Sequence, residues 1–172
     1  MTDQHGSHEQ DAALADELRK HHAVMIQDLD RLSIALVAAA TSDGDASSAK
    51  RELEQWVTEV LVPHAEEEEA TTYRAAGDLP VGELLIRAML AEHDLIRLTA
   101  RHMSEAHDPA AAGAFARALF DTFDSHQRKE NEIILPLLVE SDTVSLTEVM
   151  AGAHGHDHGH AHAHDHGHGK AH

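Results

Sequence analysis

Hydrophobic residues recur every three or four positions along most of the chain, and polar residues fill the intervals. The first such stretch covers residues 14–36, and polar residues and a glycine follow it at positions 41–45. This spacing is typical of an amphipathic helix, because residues three and four apart share one face. No stretch alternates polar and apolar residues in the way a strand does. The pattern therefore predicts an all-α protein.

Three further stretches repeat the pattern, and residues that end helices follow each of them. They cover residues 48–76, 81–107 and 110–139. Pro63 lies inside the second stretch, so we expect a bend immediately before His64, because an interior proline removes a backbone hydrogen bond. A short fifth helix is predicted from Ser145, which has capping-box spacing with Glu148. Short connections between four long helices predict an antiparallel up-down-up-down bundle.

The two ends of the chain differ from the bundle, which we place at residues 13–150. We expect residues 1–12 to be disordered. From residue 151 the chain alternates His with Gly, Ala and Asp, and it contains nine of the 18 histidines. Such a tail has little to bury and is predicted to be disordered, yet its imidazoles are suited to Ni, Zn, Co or Cu. The predicted tail ligands are His154, His156, His158, His160, His162, His164, His166 and His168.

Charge and cysteine content exclude several classes of function. The chain has 31 acidic and 13 basic residues and a net charge of −18, which argues against binding nucleic acid or an anionic membrane. It has no cysteine, so disulfides, thiolate zinc sites and iron–sulfur clusters are excluded. We find neither a signal-peptide pattern nor an apolar run of the roughly 18 residues that span a membrane. We therefore expect a cytoplasmic protein.

One histidine falls on the apolar stripe of each long helix, and in two helices a glutamate follows four positions later. Such a pair places an imidazole and a carboxylate on one face, where both can hold one metal. A lone core histidine usually only bonds a neighbour, but buried carboxylates are costly without a compensating charge. Four facing histidines and two carboxylates therefore favour a bound cation. The candidate ligands are His22, His64, Glu68, His93, His126 and Glu130.

Over residues 14–140 the chain resembles the hemerythrin-like, or HHE cation-binding, domain. Residues 64–73 resemble its second-helix motif, residues 126–138 its fourth and residues 91–93 its third. The family's spacing selects His22 rather than His21 as the ligand on the first helix. The resemblance implies a non-heme di-iron centre bridged by carboxylates and an oxygen atom, with Glu68 and Glu130 as the bridging residues.

Two positions depart from the oxygen-carrying members of this family. Arg97 stands where they have a fifth histidine, and Asn131 stands where they have an aspartate, so Glu130 must supply that carboxylate. Arg97 cannot ligate iron. We expect it to pair with an acidic neighbour such as Glu92 or Asp94, or to point toward solvent.

The resulting function hypothesis is a di-iron protein with open iron positions that reacts with or senses dioxygen, nitric oxide or hydrogen peroxide. Redox activity toward these molecules is one form of it, and no protein partner is indicated. Glu67, Glu69 and Glu92 are either further ligands or parts of a solvated acidic face. The alternative function is a metal buffer or metallochaperone that works through the His-rich tail.

Overall fold

The computed structural model describes residues 3–42 and 44–154, and within them the chain is helical with no β-strand. The all-α prediction is therefore confirmed. The tail histidines from 156 to 168 lie outside the described residues, as does the rest of the segment 155–172. Among the described helices, none combines the length and the hydropathy that crossing a bilayer requires.

Four long antiparallel units build the bundle. The helices are α1 (Asp3–Ala40), α2 (Ala46–Trp56), α3 (Val62–Ala70), α4 (Thr72–Gly77), α5 (Glu83–Glu105), α6 (Pro109–Lys129), α7 (Leu135–Val139) and α8 (Leu146–His154). The four units are α1, the run from α2 to α4, α5, and the run from α6 to α7. A π-helical turn, Val57–Leu61, joins α2 to α3, and a second, Glu130–Ile134, joins α6 to α7. The α6 helix packs against α1 and α5, and α8 packs against α1. The predicted fifth helix is thus confirmed as α8.

Each π-helical turn is followed closely by a proline, Pro63 in α3 and Pro136 in α7. In both turns the bond to the fifth preceding residue replaces the usual bond to the fourth. These bonds run from Val62 N–H to the Val57 carbonyl and from Leu135 N–H to the Glu130 carbonyl. A proline ring clashes with the carbonyl four residues earlier, and a wider turn accommodates it. A π-helical turn therefore precedes His64, near the position where a bend was predicted.

The N-terminal segment differs from the prediction, because α1 begins at Asp3 and residues 3–12 are helical rather than disordered. Tertiary contacts explain the difference. Asp11 is 2% exposed and accepts hydrogen bonds from the Thr147 amide (2.8 Å) and the Ser145 hydroxyl (3.1 Å) at the start of α8. His8 Nδ1 lies 2.9 Å from the Val139 carbonyl oxygen. The segment is therefore fixed by partners near the other end of the chain.

Two apolar clusters fill the bundle, and a polar layer separates them. One contains Met25, Leu61, Ile96 and Phe123 among its buried residues, and the other contains Ala15, Tyr73, Met89 and Ile134. In each long unit, one of the four candidate histidines lies between a residue of the first cluster and a residue of the second. The fold thus gathers the candidate ligands in one layer with apolar packing above and below it.

Candidate metal centre

The two predicted pairs of one histidine and one glutamate are formed. His64 Nε2 lies 3.1 Å from Glu68 Oε1, and His126 Nε2 lies 3.2 Å from Glu130 Oε1. Both pairs join residues four positions apart, although Glu130 is the first residue of the second π-helical turn. Each helix therefore presents an imidazole nitrogen and a carboxylate oxygen to the same point.

His22 of α1 and His93 of α5 complete the layer from opposite sides of Glu68. His22 Nε2 is 3.5 Å from Glu68 Oε1, and His93 Nε2 is 3.6 Å from Glu68 Oε2. The two oxygens of this carboxylate consequently face different histidines. Such an arrangement is the one that a bridging carboxylate requires.

All six candidate ligands come together in two overlapping groups among the described residues. In each group the potential ligand atoms lie within 4.8 Å of one another. One group is His22, His64, Glu68 and Glu130, and the other is Glu68, His93, His126 and Glu130. Both carboxylates belong to both groups, while each histidine belongs to one. The geometry suits two neighbouring cations that share two carboxylates.

Unpartnered buried oxygens test whether a cation fits this layer. Glu68 is 8% exposed and Glu130 is 2% exposed, and within the described part of the chain their Oε2 atoms have no hydrogen-bond partner. A buried anionic oxygen without a partner is strongly unfavourable. A cation between the two carboxylates would satisfy both atoms, so the residues present fit a metal.

Without metal, protons on the neighbouring histidines partly compensate the negative charge of these carboxylates. Burial opposes the charged form of His64, but the hydrogen bond and charge of Glu68 outweigh it, so the pKa of His64 is raised. The pKa of His126 is raised in the same way by Glu130. Burial favours neutral Glu68, yet the nearby imidazoles of His22, His64 and His93 hold the pKa of Glu68 well below its usual value. Metal binding would therefore release protons from this layer.

Oxygen atoms outside the layer orient three of the four imidazoles. His22 Nδ1 is 2.7 Å from Asn131 Oδ1, His93 Nδ1 is 2.8 Å from Glu69 Oε1, and His126 Nδ1 is 3.1 Å from Glu92 Oε2. An amide or carboxylate oxygen can only accept, so each Nδ1 carries the proton. In the neutral imidazole that a metal requires, each Nε2 then has a lone pair directed at the layer, which is the arrangement typical of metal-ligating histidines.

These contacts show the roles of Asn131 and Arg97, the two residues that differ from the pattern of the oxygen carriers. Asn131 does not face the two groups of ligands but holds His22 in place. Arg97 pairs with an acidic neighbour, as expected, but this neighbour is Glu69, with Nη2 2.8 Å from Oε1, rather than Glu92 or Asp94. Glu92 is instead taken by Lys129, whose Nζ lies 2.5 Å from Oε1. The carboxylate of Glu69 is shared between His93 and Arg97, which keeps the guanidinium outside the layer.

Sequence reasoning assigned no role to Tyr73, which lies in the layer itself. It is 1% exposed, and its hydroxyl donates a short hydrogen bond to Glu130 Oε1. The same hydroxyl oxygen lies 2.9 Å from His126 Nε2, and the ring stacks on that of His93 at 5.0 Å. Burial and the neighbouring carboxylates raise the pKa of Tyr73, so the phenol keeps its proton. The only signal in the sequence was its place at the end of the segment 64–73.

Gln127 is a second residue that the sequence did not reveal. Its side chain is fully buried, and its Nε2 lies 3.3 Å from His64 Nε2. The amide oxygen of Gln127 has no partner within the described residues. His64 is thus contacted by an amide rather than by an outer carboxylate, which distinguishes it from His93 and His126.

A cavity of about 70 Å³ reaches the layer from the side of α1, α3 and α8. His22, His64, Glu68 and Glu130 line its inner end, while exposed His21 and Glu67 and the α8 residue Met150 line it further out. His21 belongs to neither ligand group, and its ring centroid lies 5.4 Å from that of His64. The volume of this cavity admits molecules of a few atoms.

Comparison with known proteins gives one family match. The model of the hemerythrin HHE cation-binding domain matches residues 13–138, which contain all six candidate ligands. No match was found among curated proteins or among solved structures.

Proposed function

The chain belongs to the hemerythrin HHE cation-binding domain family, and from that premise we propose that its bundle holds a di-iron centre that reacts with dioxygen, nitric oxide or hydrogen peroxide. One observation carries the proposal. Two groups of ligands share Glu68 and Glu130, and each adds two histidines of its own. In helix bundles this kind of carboxylate-bridged, histidine-capped layer is suited to a pair of iron ions.

The chain's own residues have distinct parts in this function. His22 and His64 would hold one iron, His93 and His126 the other, and Glu68 and Glu130 would span both. A di-iron pair supplies redox chemistry toward small oxygen- or nitrogen-containing ligands. Tyr73 holds one oxygen of Glu130 through its hydroxyl proton, and the apolar clusters on either side keep bulk water out of the layer.

Arg97 supports reaction with a small ligand over reversible storage of dioxygen. The resemblance places a fifth histidine at this position in oxygen carriers, and here the guanidinium contacts Glu69. An iron position that a carrier fills with protein is thereby left to an exogenous ligand. The narrow cavity beside His22 and His64 restricts that ligand to a few atoms.

Elemental analysis and visible spectroscopy test the proposal together. The histidine tail would bind metal by itself, so iron is measured both in the full chain and in a variant that ends at residue 154. We expect about two irons per chain in each, because the bundle ligands are unchanged. The di-ferrous protein mixed rapidly with air-saturated buffer, peroxide or nitric oxide should change its visible spectrum.

Several outcomes would contradict this function. A truncated chain that retains no iron after iron-replete expression favours the tail-based metal buffer instead. A single metal per chain excludes the di-iron centre. A stable, reversible dioxygen adduct would show that the chain carries dioxygen without a fifth histidine, and Arg97→His should then change little.

A further inference from the structure

The outer face of α5, opposite His93, carries an apolar stripe that the bundle does not cover. Its members are Leu84, Ala88, Ala91, Leu95 and Leu98, which we call the α5 seam. All five are exposed, Leu84 at 76% and Leu95 at 47%. Steps of four, three, four and three residues follow the 3.5-residue repeat that keeps one edge of a helix against a second helix. The seam therefore has the pattern of a helix–helix interface.

Charged residues of alternating sign follow one edge of the seam. In chain order they are Glu83, Arg87, Asp94, Arg101 and Glu105, and all are exposed. Within the described residues, none of them makes an ion pair or a side-chain hydrogen bond. Both arginines of this edge therefore lack an acidic partner within the bundle, as do exposed Arg51 and Arg74 elsewhere on the surface. Arg19, Arg31, Arg117 and Arg128, for comparison, each contact an aspartate.

We propose that the α5 seam is the interface of a homodimer, in which two copies of α5 pair antiparallel about a two-fold axis next to Ala91. With this centre, Leu84 lies opposite Leu98 of the second copy, and Ala88 lies one residue along the helix from the position opposite Leu95. Leucines thus meet leucines at the ends of the seam, and leucines meet alanines closer to its middle. The Ala91 residues of the two copies meet at the axis, where their small size permits close approach of the helices.

The charged edge indicates that the partner bound at the α5 seam is a second copy of this chain. In the same antiparallel register, Glu83 lies within one turn of Arg101 of the second copy, and Arg87 lies within one turn of Asp94. Opposite charges are therefore close enough to pair at these four positions, and a two-fold axis repeats each pair. A single surface that is complementary to itself in both size and charge is what an isologous interface requires.

Sedimentation of the full chain tests the oligomeric state. We expect a dimer for the native sequence and a monomer for the variant with both Leu84→Glu and Leu95→Glu, because four carboxylates would be buried in the apolar interface without a compensating charge. The matched control is Ile34→Glu on α1, a residue that is 52% exposed and outside the seam, which should remain dimeric. Circular dichroism verifies that each variant keeps its helices. A native chain that is monomeric at every concentration, or a double variant that is still dimeric, overturns the proposal.

Charge reversal tests the register. Arg101→Glu should weaken the dimer by about fivefold or more, because it places like charges opposite each other in both symmetric pairs. Adding Glu83→Arg to the same chain should restore the affinity, since the reversed pair is again complementary. If the second change weakens the dimer further, these two residues do not face each other and the register is wrong.

Cross-linking tests the position of the axis. The chain has no cysteine, so Ala91→Cys introduces one thiol per copy, and air oxidation should join the two copies through a disulfide. Ala114→Cys on the exposed face of α6 serves as the control and should stay largely uncross-linked. Equal cross-linking of both variants, or none at Ala91→Cys, places the axis elsewhere and overturns the proposed pairing.

Discussion

At the scale of the residue, three consecutive glutamates, residues 67–69, differ in their surroundings. Glu67 is exposed beside the cavity, Glu68 is buried among three histidines, and Glu69 bonds His93 and Arg97 from outside. Three consecutive glutamates thus have three different roles. Successive residues of a helix point about 100° apart, so three neighbours in one turn can face solvent, the ligand layer and a supporting contact.

Glu68→Gln and Glu130→Gln should each reduce iron binding by at least about tenfold, since an amide replaces a carboxylate that both ligand groups share. Metal content and the visible spectrum of the purified variants measure the effect. Glu67→Gln is the matched control, and it should leave both unchanged. Greater damage from Glu67→Gln than from Glu68→Gln would contradict the assignment of the bridging residue.

Tyr73→Phe should destabilise the metal-free protein by about 1–3 kcal/mol, because the buried carboxylate of Glu130 loses its hydrogen-bond donor. The loss should be smaller with iron bound, since a cation then compensates the same oxygen. Urea unfolding with and without iron provides the comparison. Equal destabilisation of both forms would show that Tyr73 contributes packing alone.

At the scale of the element, irregular turns place the ligands as much as regular helices do. Both π-helical turns lie next to a pair of candidate ligands, one before His64 and one starting at Glu130. After α3, Thr71 leaves the helical region with φ −120° and ψ −92°, and its hydroxyl bonds the Glu67 carbonyl. This break begins α4, the helix that brings Tyr73 into the layer.

The start of α8 depends on Asp11, which caps it from α1. Burial favours the neutral acid, but hydrogen bonds from Thr147 and Ser145 outweigh it and lower the pKa of Asp11. A lowered folded-state pKa stabilises the protein above the unfolded value of about 3.9, and this stabilisation is lost as pH falls through the folded value.

Asp11→Asn should therefore cost about 1 kcal/mol at pH 7, and the difference from the native chain should shrink as pH falls below about 3.9 toward the lowered pKa of folded Asp11. Urea unfolding at pH 7 and pH 3 measures it. The exposed neighbour Glu9 offers the control, and Glu9→Gln should be neutral at pH 7. A difference that stays constant with pH would exclude ionised Asp11 as the capping group.

At the scale of the whole molecule, a charged layer interrupts what would otherwise be one apolar core. The layer holds two buried carboxylates with unpartnered oxygens, and all four long units contribute to it. Cation binding and bundle stability are consequently coupled, because the unfolded chain has no preformed site.

Removal of iron should lower the melting temperature of the bundle. At free iron 100-fold above the dissociation constant, linkage gives about 2.7 kcal/mol of added stability. Scanning calorimetry of a variant that ends at residue 154 measures this without metal on the tail. Identical melting temperatures for the two forms would exclude a site in the core.

The helical bundle and the convergence of the six candidate ligands could both be predicted from the sequence. Each helix carries its own evidence, because a repeat of 3.6 residues shows which side chains share the apolar face. His22 and Glu68 fall on such faces. Their role as iron ligands stays a prediction that the metal analysis tests.

Tertiary structure decided the surroundings of those residues. His22 meets Asn131 across 109 positions of sequence, Asp11 meets Thr147 across 136, and Tyr73 meets Glu130 across 57. The periodicity of one helix predicts which face is buried. It does not predict which polar atom of another helix lies opposite. Hydrogen bonds of this kind depend on the axial register of the packed helices, which is fixed only when all four units close around the core.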